Sequence, residues 1–355
     1  MKARVIASFA ASLALLGNCS VSAADTDLIK QGEYLARAGD CVACHTAKGG
    51  KPFAGGLPME TPIGVIYSTN ITPDKTGLGA YSFADFDKAV RHGVAKSGST
   101  LYPAMPYPSY ARVSESDMQA LYAYFMKGVE PVAQENRASD IPWPLSMRSP
   151  LAAWRWMFAP PVADTPEVAG ADPVISRGAY LVEGLGHCGA CHTPRALTMQ
   201  EKALSAADGS AFLSGSAPLE GWIAKSLRGD HKDGLGSWSE EQLVQFLKTG
   251  RSDRSAVFGG MSDVVVHSMQ YMSQDDLTAI ARYLKSLPAV DPQNPPHQYD
   301  KQVAEALWKG DDSRPGASVY IDNCAACHRT DVTVPPNLDQ RLLHKRSRLK
   351  RVDNN

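Results

Sequence analysis

The sequence predicts an all-α protein, a tandem of small helical units joined by extended Pro-rich segments. Three observations carry that expectation. A block of sequence recurs along the chain, apolar residues recur at helical spacing within each copy, and strand signals are sparse while prolines gather between the copies.

The 355 residues suffice for two to three domains, and 44% hydrophobic with 21% charged residues is a globular composition. A formal net charge of −1 gives no basic excess of the kind a nucleic-acid binder uses. Lys2 and Arg4 precede the apolar run Val5 to Gly17, and small residues fill Ser20 to Ala24. That order reads as a secretion leader over residues 1–24, cleaved after Ala23 or Ala24. No later stretch approaches the roughly 18 apolar residues of a membrane span. Without Lys2 and Arg4 the charge becomes −3, and the tail from Arg341 to Asn355 holds six Lys/Arg against one Asp, leaving the body near −8. Ordinary solubility accounts for that acidity, and a basic partner patch would also suit it.

The repeats fix the organisation. Unit one, residues 25–130, carries Gln31-Gly32-Glu33-Tyr34-Leu35-Ala36-Arg37 ahead of Cys41-Val42-Ala43-Cys44-His45. Unit two, residues 173–288, carries Arg177-Gly178-Ala179-Tyr180-Leu181-Val182-Glu183 ahead of Cys188-Gly189-Ala190-Cys191-His192. Unit three, residues 303–355, begins Gly316-Ala317-Ser318-Val319-Tyr320 and reaches Cys324-Ala325-Ala326-Cys327-His328. Further on, Gly77-Leu78-Gly79-Ala80-Tyr81-Ser82 matches Gly234-Leu235-Gly236-Ser237-Trp238-Ser239. Ser82 and Ser239 read as helix N-caps, Phe83, Phe86 and Val90 or Leu243, Phe246 and Leu247 as the buried faces, and Gly93 and Gly250 as C-terminal glycines. A closing helix follows Ser114 in one unit and Ser273 in the other, with Asp117 and Asp276 placed to help satisfy its first turn. Pro288 stops the second of these. Eight prolines between residues 131 and 175 predict that the linker 131–172 is extended rather than helical. Residues 289–302 form the second linker.

Of seven cysteines, Cys19 falls in the leader and the other six form three Cys-x-x-Cys-His motifs. Two intervening residues let both thiols reach one edge of a porphyrin, and the adjacent His then reaches the iron. The motif therefore reads as c-type haem attachment. A lone Cys-x-x-Cys is often half a zinc site or a redox pair. Three copies in register with a longer repeat, using every mature cysteine, favour haem.

Such an iron takes a sixth ligand, commonly a methionine in electron-transfer sites. Met105 stands in Tyr102-Pro103-Ala104-Met105-Pro106-Tyr107, where flanking prolines stiffen the loop. Unit two offers Met261, Met269 and Met272. Gly93 to Met105 spans 12 residues and Gly250 to Met261 spans 11, so spacing selects Met261. Met269 and Met272 fall too far along. In unit three only 27 residues follow His328 and none is methionine. That unit is expected to lack a methionine loop and closing helix, and its haem is the least secure of the three. His344 is a weak substitute ligand. His92, His187, His231, His267 and His297 are expected to be ordinary surface or core residues. Trp154, Trp156, Met157 and Phe158 form an aromatic cluster in the first linker, suited to packing on a haem unit or docking a partner.

Several segments resemble the trihaem cytochrome c subunits of bacterial membrane-bound dehydrogenases, over roughly residues 27 to 330. They are Tyr34 to Cys41, Ser68-Thr69-Asn70-Ile71-Thr72-Pro73-Asp74, Tyr102 to Tyr107 and His187 to Arg195. The resemblance implies tandem class I cytochrome c domains. Cys41, Cys44, His45 and Met105 would hold haem one, and Cys188, Cys191, His192 and Met261 haem two. Cys324, Cys327 and His328 would begin haem three. It also implies a catalytic partner, flavin or quinoprotein, that oxidises an alcohol or sugar acid. Electrons would pass on to ubiquinone or another respiratory acceptor at the periplasmic face of the inner membrane. No catalytic acid, base or nucleophile constellation stands out. The competing functions are a free periplasmic electron shuttle and a multihaem peroxidase, which needs an open iron position.

Overall fold

The structure is a computed structural model describing residues 23–163, 172–218, 221–293, 295–296 and 298–325. The expected leader, except Ala23 and Ala24, lies outside the described residues, as do Cys327, His328 and the basic tail.

Unit one opens with helix α1, Ala23–Ala38, which buries Leu35, Ala36 and Ala38. A single turn, α2 (Cys41–Cys44), follows. Strands β1 (Pro58–Thr61) and β2 (Gly64–Tyr67) pair antiparallel, Met59 facing Ile66. This hairpin is the one named sheet among the described residues of an otherwise helical protein. Helix α3, Phe83–His92, has the expected ends. Ser82 and Asp85 form a reciprocal capping box and Gly93 takes φ 65°. A short helix α4 (Tyr107–Tyr110) leads to the closing helix α5, Glu115–Ala123, which runs on as a π turn through Gly128.

The segment between the units departs from the extended expectation. Residues Ser149–Phe158 form helix α6. Pro150 stands in its first turn, where a missing N–H costs nothing, and no other proline interrupts it before Pro160. The aromatic cluster is divided by this helix. Trp154 packs edge-on against Tyr107 of unit one and donates its indole N–H to the Thr198 carbonyl of unit two at 2.8 Å. Trp156 is 83% exposed.

Unit two repeats the plan with α7 (Pro173–Ala179), continued by a π turn over Tyr180–Leu185, and α8 (Gly189–His192). Helix α9, Glu240–Thr249, is capped by Ser239 with Gln242 and ends on Gly250 at φ 71°. Helices α10 (Gly260–His267) and α11 (Gln274–Ser286) complete it, α11 stopping two residues before Pro288. Two short helices, α12 (Lys301–Trp308) and α13 (Ala317–Asn323), lie beyond.

In each unit the first and last helices cross at the glycine of the repeated Gly-x-Tyr. A Cβ on Gly32 would stand 2.0 Å from the Ala120 carbonyl oxygen of α5, and one on Gly178 would stand 2.0 Å from that of Ala279 in α11. Side-chain-free backbone at both positions is what lets the helices meet so closely. One continuous apolar core then joins the two units, running from Leu35, Met118 and Leu121 to Leu181, Leu277 and Ile280.

Asp117 and Asp276 do something other than complete the capping boxes expected of them. Ser114 and Ser273 cap their helices alone, accepting from the backbone N–H of Asp117 and Asp276. The two carboxylates turn instead toward the tyrosine of the opposite unit. Burial beside a tyrosine hydroxyl makes the carboxylate more useful across the interface than at its own helix end.

Candidate haem centres

Each of the two motifs within the described residues occupies one helical turn entered through a left-handed residue. Asp40 has φ 52° and His187 φ 39°, both uncommon for residues with a side chain. The turn then closes with the His45 N–H donating to the Cys41 carbonyl and the His192 N–H to that of Cys188, each at 3.0 Å. The histidine thus returns to the face of the first cysteine after one turn.

The imidazoles are oriented alike. His45 Nδ1 lies 2.7 Å from the Thr69 carbonyl oxygen, and His192 Nδ1 lies 2.7 Å from that of Lys225. A carbonyl can only accept, so Nδ1 carries the proton and Nε2 keeps its lone pair. Burial holds both imidazoles below their usual pKa, against the opposing effect of that hydrogen bond, so they are neutral as ligands must be. Gly55 and Gly215 set the carbonyl segments in place, each donating its N–H to the motif histidine's own carbonyl at 2.8 Å. At Gly55, φ 75°, a side chain would meet the Thr69 carbonyl carbon at 2.4 Å. Asn70 then fastens the Thr69 strand. Its amide donates to the Val132 carbonyl at 2.8 Å and its side-chain oxygen accepts from the Thr72 N–H at 2.9 Å.

The sequence flagged Ser68 to Asp74 without assigning the Thr69 carbonyl, and Lys225 lies in no repeated segment. Backbone acceptors leave no residue-type signal. The similar segments Phe53-Ala54-Gly55 and Phe212-Leu213-Ser214-Gly215, not among the repeats above, are a signal that could have pointed to them.

Cys41, Cys44, Cys188 and Cys191 stand in no disulfide, and Cys44 and Cys191 reach solvent. Burial pushes Cys41 and Cys188 up to about 12. A redox-active pair needs a depressed, thiolate-forming cysteine, the opposite condition. No grouping of His, Cys, Asp or Glu among the described residues can hold a metal ion alone. Two cysteines outside any disulfide, one turn from a half-buried, Nδ1-protonated histidine, fit the two vinyl additions and the iron ligand that a haem c would need.

The methionines differ among themselves. Met105 and Met261 are half-buried and border the core, whereas Met269 and Met272 are 5% and 2% exposed and stand inside it. Cys324 caps the end of α13, and the rest of its motif lies outside the described residues.

The two motifs are brought together rather than kept apart. Helix α10, which begins beside Met261, packs on α2, which carries Cys41 and Cys44. In return α4, two residues after Met105, packs on the π turn that precedes Cys188. Tyr110 lies edge-on to His187 with ring centroids 5.6 Å apart, and its hydroxyl donates to the Gly39 carbonyl at 3.1 Å. The Cys44 thiol, pushed up to about 11 first by the protein around it and then by Asp40, also senses Cys191 of unit two.

A cytochrome c family model matches residues 29–128. The chain is 68% identical over 324 residues to the gluconate 2-dehydrogenase cytochrome c subunit of Pantoea cypripedii, covering 89% of this chain and 74% of that one. It belongs to the cytochrome c subunits of bacterial dehydrogenases. This cytochrome c subunit is also 59% identical over 327 residues to the cytochrome c subunit of the quinone alcohol dehydrogenase of Gluconacetobacter polyoxogenes, covering 91% of this chain and 70% of that one. The counterpart from Gluconobacter oxydans is 56% identical over 311 residues, 87% of this chain and 65% of its own. The mostly helical fold of the subunit is that of the family, whose prosthetic group is haem c. No helix among the described residues is long and apolar enough to cross a membrane.

Proposed function

We infer that this subunit binds one haem c through Cys41, Cys44, His45 and Met105 and another through Cys188, Cys191, His192 and Met261. A third attachment begins at Cys324, Cys327 and His328. The domains are 25–130 and 173–288, with a third starting near residue 303. The observation that carries this reading is the duplicated arrangement at the histidines, where two cysteines outside any disulfide precede an imidazole whose Nδ1 is held 2.7 Å from a carbonyl.

The haem, when bound, supplies a one-electron couple. The chain's own residues supply the rest. The Thr69 and Lys225 carbonyls fix the tautomer and ring orientation of the ligand histidines and raise their basicity. Met105 and Met261 would each give the iron a second protein ligand and favour its reduced form, which argues against a peroxidase, whose iron must stay open. The surrounding core covers one side of each site, while Cys44 and Cys191 reach solvent on the other.

The electron source is a dehydrogenase catalytic subunit, flavin or quinoprotein, that oxidises a CH–OH donor. Relatives named for gluconate and alcohol dehydrogenases support that class of partner. The acceptor is ubiquinone or another respiratory component, and the site of action is the periplasmic face of the inner membrane. The test is reduction of the purified cytochrome, followed at its haem absorbance, by gluconate or alcohol dehydrogenase catalytic subunit with its substrate. Rapid substrate-dependent reduction by one of them is expected. Reduction by neither, with haem present, would favour the free shuttle.

A further inference from the structure

The interface between units one and two is built from the same parts used twice. Gln31 Nε2 donates to Asp117 Oδ1 at 3.0 Å within unit one, and the Tyr180 hydroxyl of unit two donates to Asp117 Oδ2 at 2.6 Å. Arg177 grips Asp276 through two nitrogens at 2.8 and 2.9 Å within unit two, and the Tyr34 hydroxyl of unit one donates to Asp276 Oδ2 at 2.5 Å. Each tyrosine oxygen also accepts a backbone N–H at the opposite helix end, Tyr34 from Ser273 and Tyr180 from Ser114, both at 3.2 Å. Gln31 and Arg177 occupy the same place in the repeat, three residues before the tyrosine.

This exchange lies on the helices that lead directly into the motifs. Tyr34 is seven residues before Cys41 and Tyr180 eight before Cys188. A hydroxyl with a charged acceptor on one side and a backbone donor on the other has both its position and its direction fixed. Two such locks, offset from one another, leave the units no free rotation about their contact. What they hold in register is the surface where α10 meets α2, α4 meets the π turn before Cys188, and Tyr110 meets His187.

We propose that Tyr34 and Tyr180 are positioning residues for electron exchange between the two haem sites, locking units one and two into the single orientation in which the segments 37–45 and 184–192 face each other. The proposal rests on the two haem assignments above. The exchange moves one electron and no atom, one site being oxidised as the other is reduced, with the dehydrogenase as the external donor. The tyrosines take no part in the redox change. They determine the separation the electron crosses.

The test uses the full exported chain with Tyr34→Phe, Tyr180→Phe and both together. Haem content by intact mass and the absorption spectrum of each site report whether the sites are loaded. Transient one-electron reduction followed by internal equilibration reports the exchange. The double variant is expected to keep both haems and their spectra while equilibration slows by about ten-fold, because small misplacements of reacting partners carry large rate costs. A role in stability alone would lower the unfolding midpoint and leave equilibration unchanged. Equilibration within about two-fold of the parent, with both haems present, overturns the positioning role and leaves the haem assignment standing. A parent protein lacking haem at either motif overturns both. Should the double variant export poorly, Asp117→Asn with Asp276→Asn weakens the same bonds from the acceptor side and must slow equilibration likewise. Unslowed exchange there also overturns the proposal.

Discussion

The Tyr34 hydroxyl donates to the Asp276 carboxylate at 2.5 Å, across 242 positions of sequence, while Arg177 holds the same carboxylate through two nitrogens. Asp276 is only 8% exposed. Burial pushes its pKa up, but the hydrogen bonds from Arg177 and Tyr34 outweigh that and hold the carboxyl below its usual value. Two side chains, one from each unit, therefore place three hydrogen bonds on one buried charge.

A pH dependence follows from that sign. A carboxyl depressed in the folded protein contributes stability that is present above its unfolded value, about 3.9, and is lost as pH falls through the folded one. Asp276→Asn is expected to lower the unfolding midpoint at neutral pH, and the gap to the parent should begin to close only below about pH 4 and shrink further as pH falls. Unfolding curves of both proteins across that range decide it. A gap that stays constant with pH would show that Asp276 acts through packing and not charge.

The helix crossings give a second prediction. Gly32→Ala and Gly178→Ala each drive a methyl into a backbone carbonyl 2.0 Å away. Each should cost about 1–3 kcal/mol or more, since helix backbones cannot yield as a side-chain end would. Gly260→Ala, which meets nothing within 4 Å, should change stability by no more than about 1 kcal/mol. Denaturant midpoints compare the three directly.

The methionines separate by burial. Met105→Ala or Met261→Ala should leave haem attached and lower the potential of that site alone, since the thioether favours reduced iron. Met269→Ala, within the core at 5% exposure, should instead cost about 2–5 kcal/mol of stability with little change of potential. Redox titration and thermal unfolding of all three variants read the two effects separately. A potential change in Met269→Ala with none in Met261→Ala would show that the wrong methionine had been assigned.

Asn70 offers a prediction that residue spacing did not suggest. Its amide satisfies the Val132 carbonyl and its oxygen the Thr72 N–H, next to the carbonyl that orients His45. Asn70→Ala leaves buried groups unpaired at a cost of about 1–3 kcal/mol each. It should shift the spectrum and potential of the unit-one haem and leave unit two unaltered. Equal shifts at both sites would contradict a local role.

How much was legible in the sequence divides along physical lines. The helices capped by Ser82 and Ser239 and ended by Gly93 and Gly250 were readable because capping chemistry is local to a few residues. The turns that bring His45 and His192 back beside Cys41 and Cys188 were readable because their residues stand at fixed, short spacing. Helix α6 was hidden because a count of prolines over 131–175 says nothing of the proline-free run inside it. The Thr69 and Lys225 carbonyls were hidden because any residue supplies one. The tyrosine exchange was visible only as repeated letters. Tyr34 and Tyr180 were conspicuous within each unit, but their acceptors lie on the other, and a repeat does not reveal that its copies are partners.

The central claim is that units one and two each carry a covalently attached, methionine-ligated haem. Intact mass of the exported protein counts the haems, and mass mapping of its peptides assigns them. The near-infrared methionine-to-iron band of the oxidised protein counts the ligated irons. The account predicts haem on the peptides containing Cys41-Val42-Ala43-Cys44-His45 and Cys188-Gly189-Ala190-Cys191-His192, and at least two methionine-ligated irons. An unmodified peptide from either motif, or a single methionine-ligated iron, would contradict it.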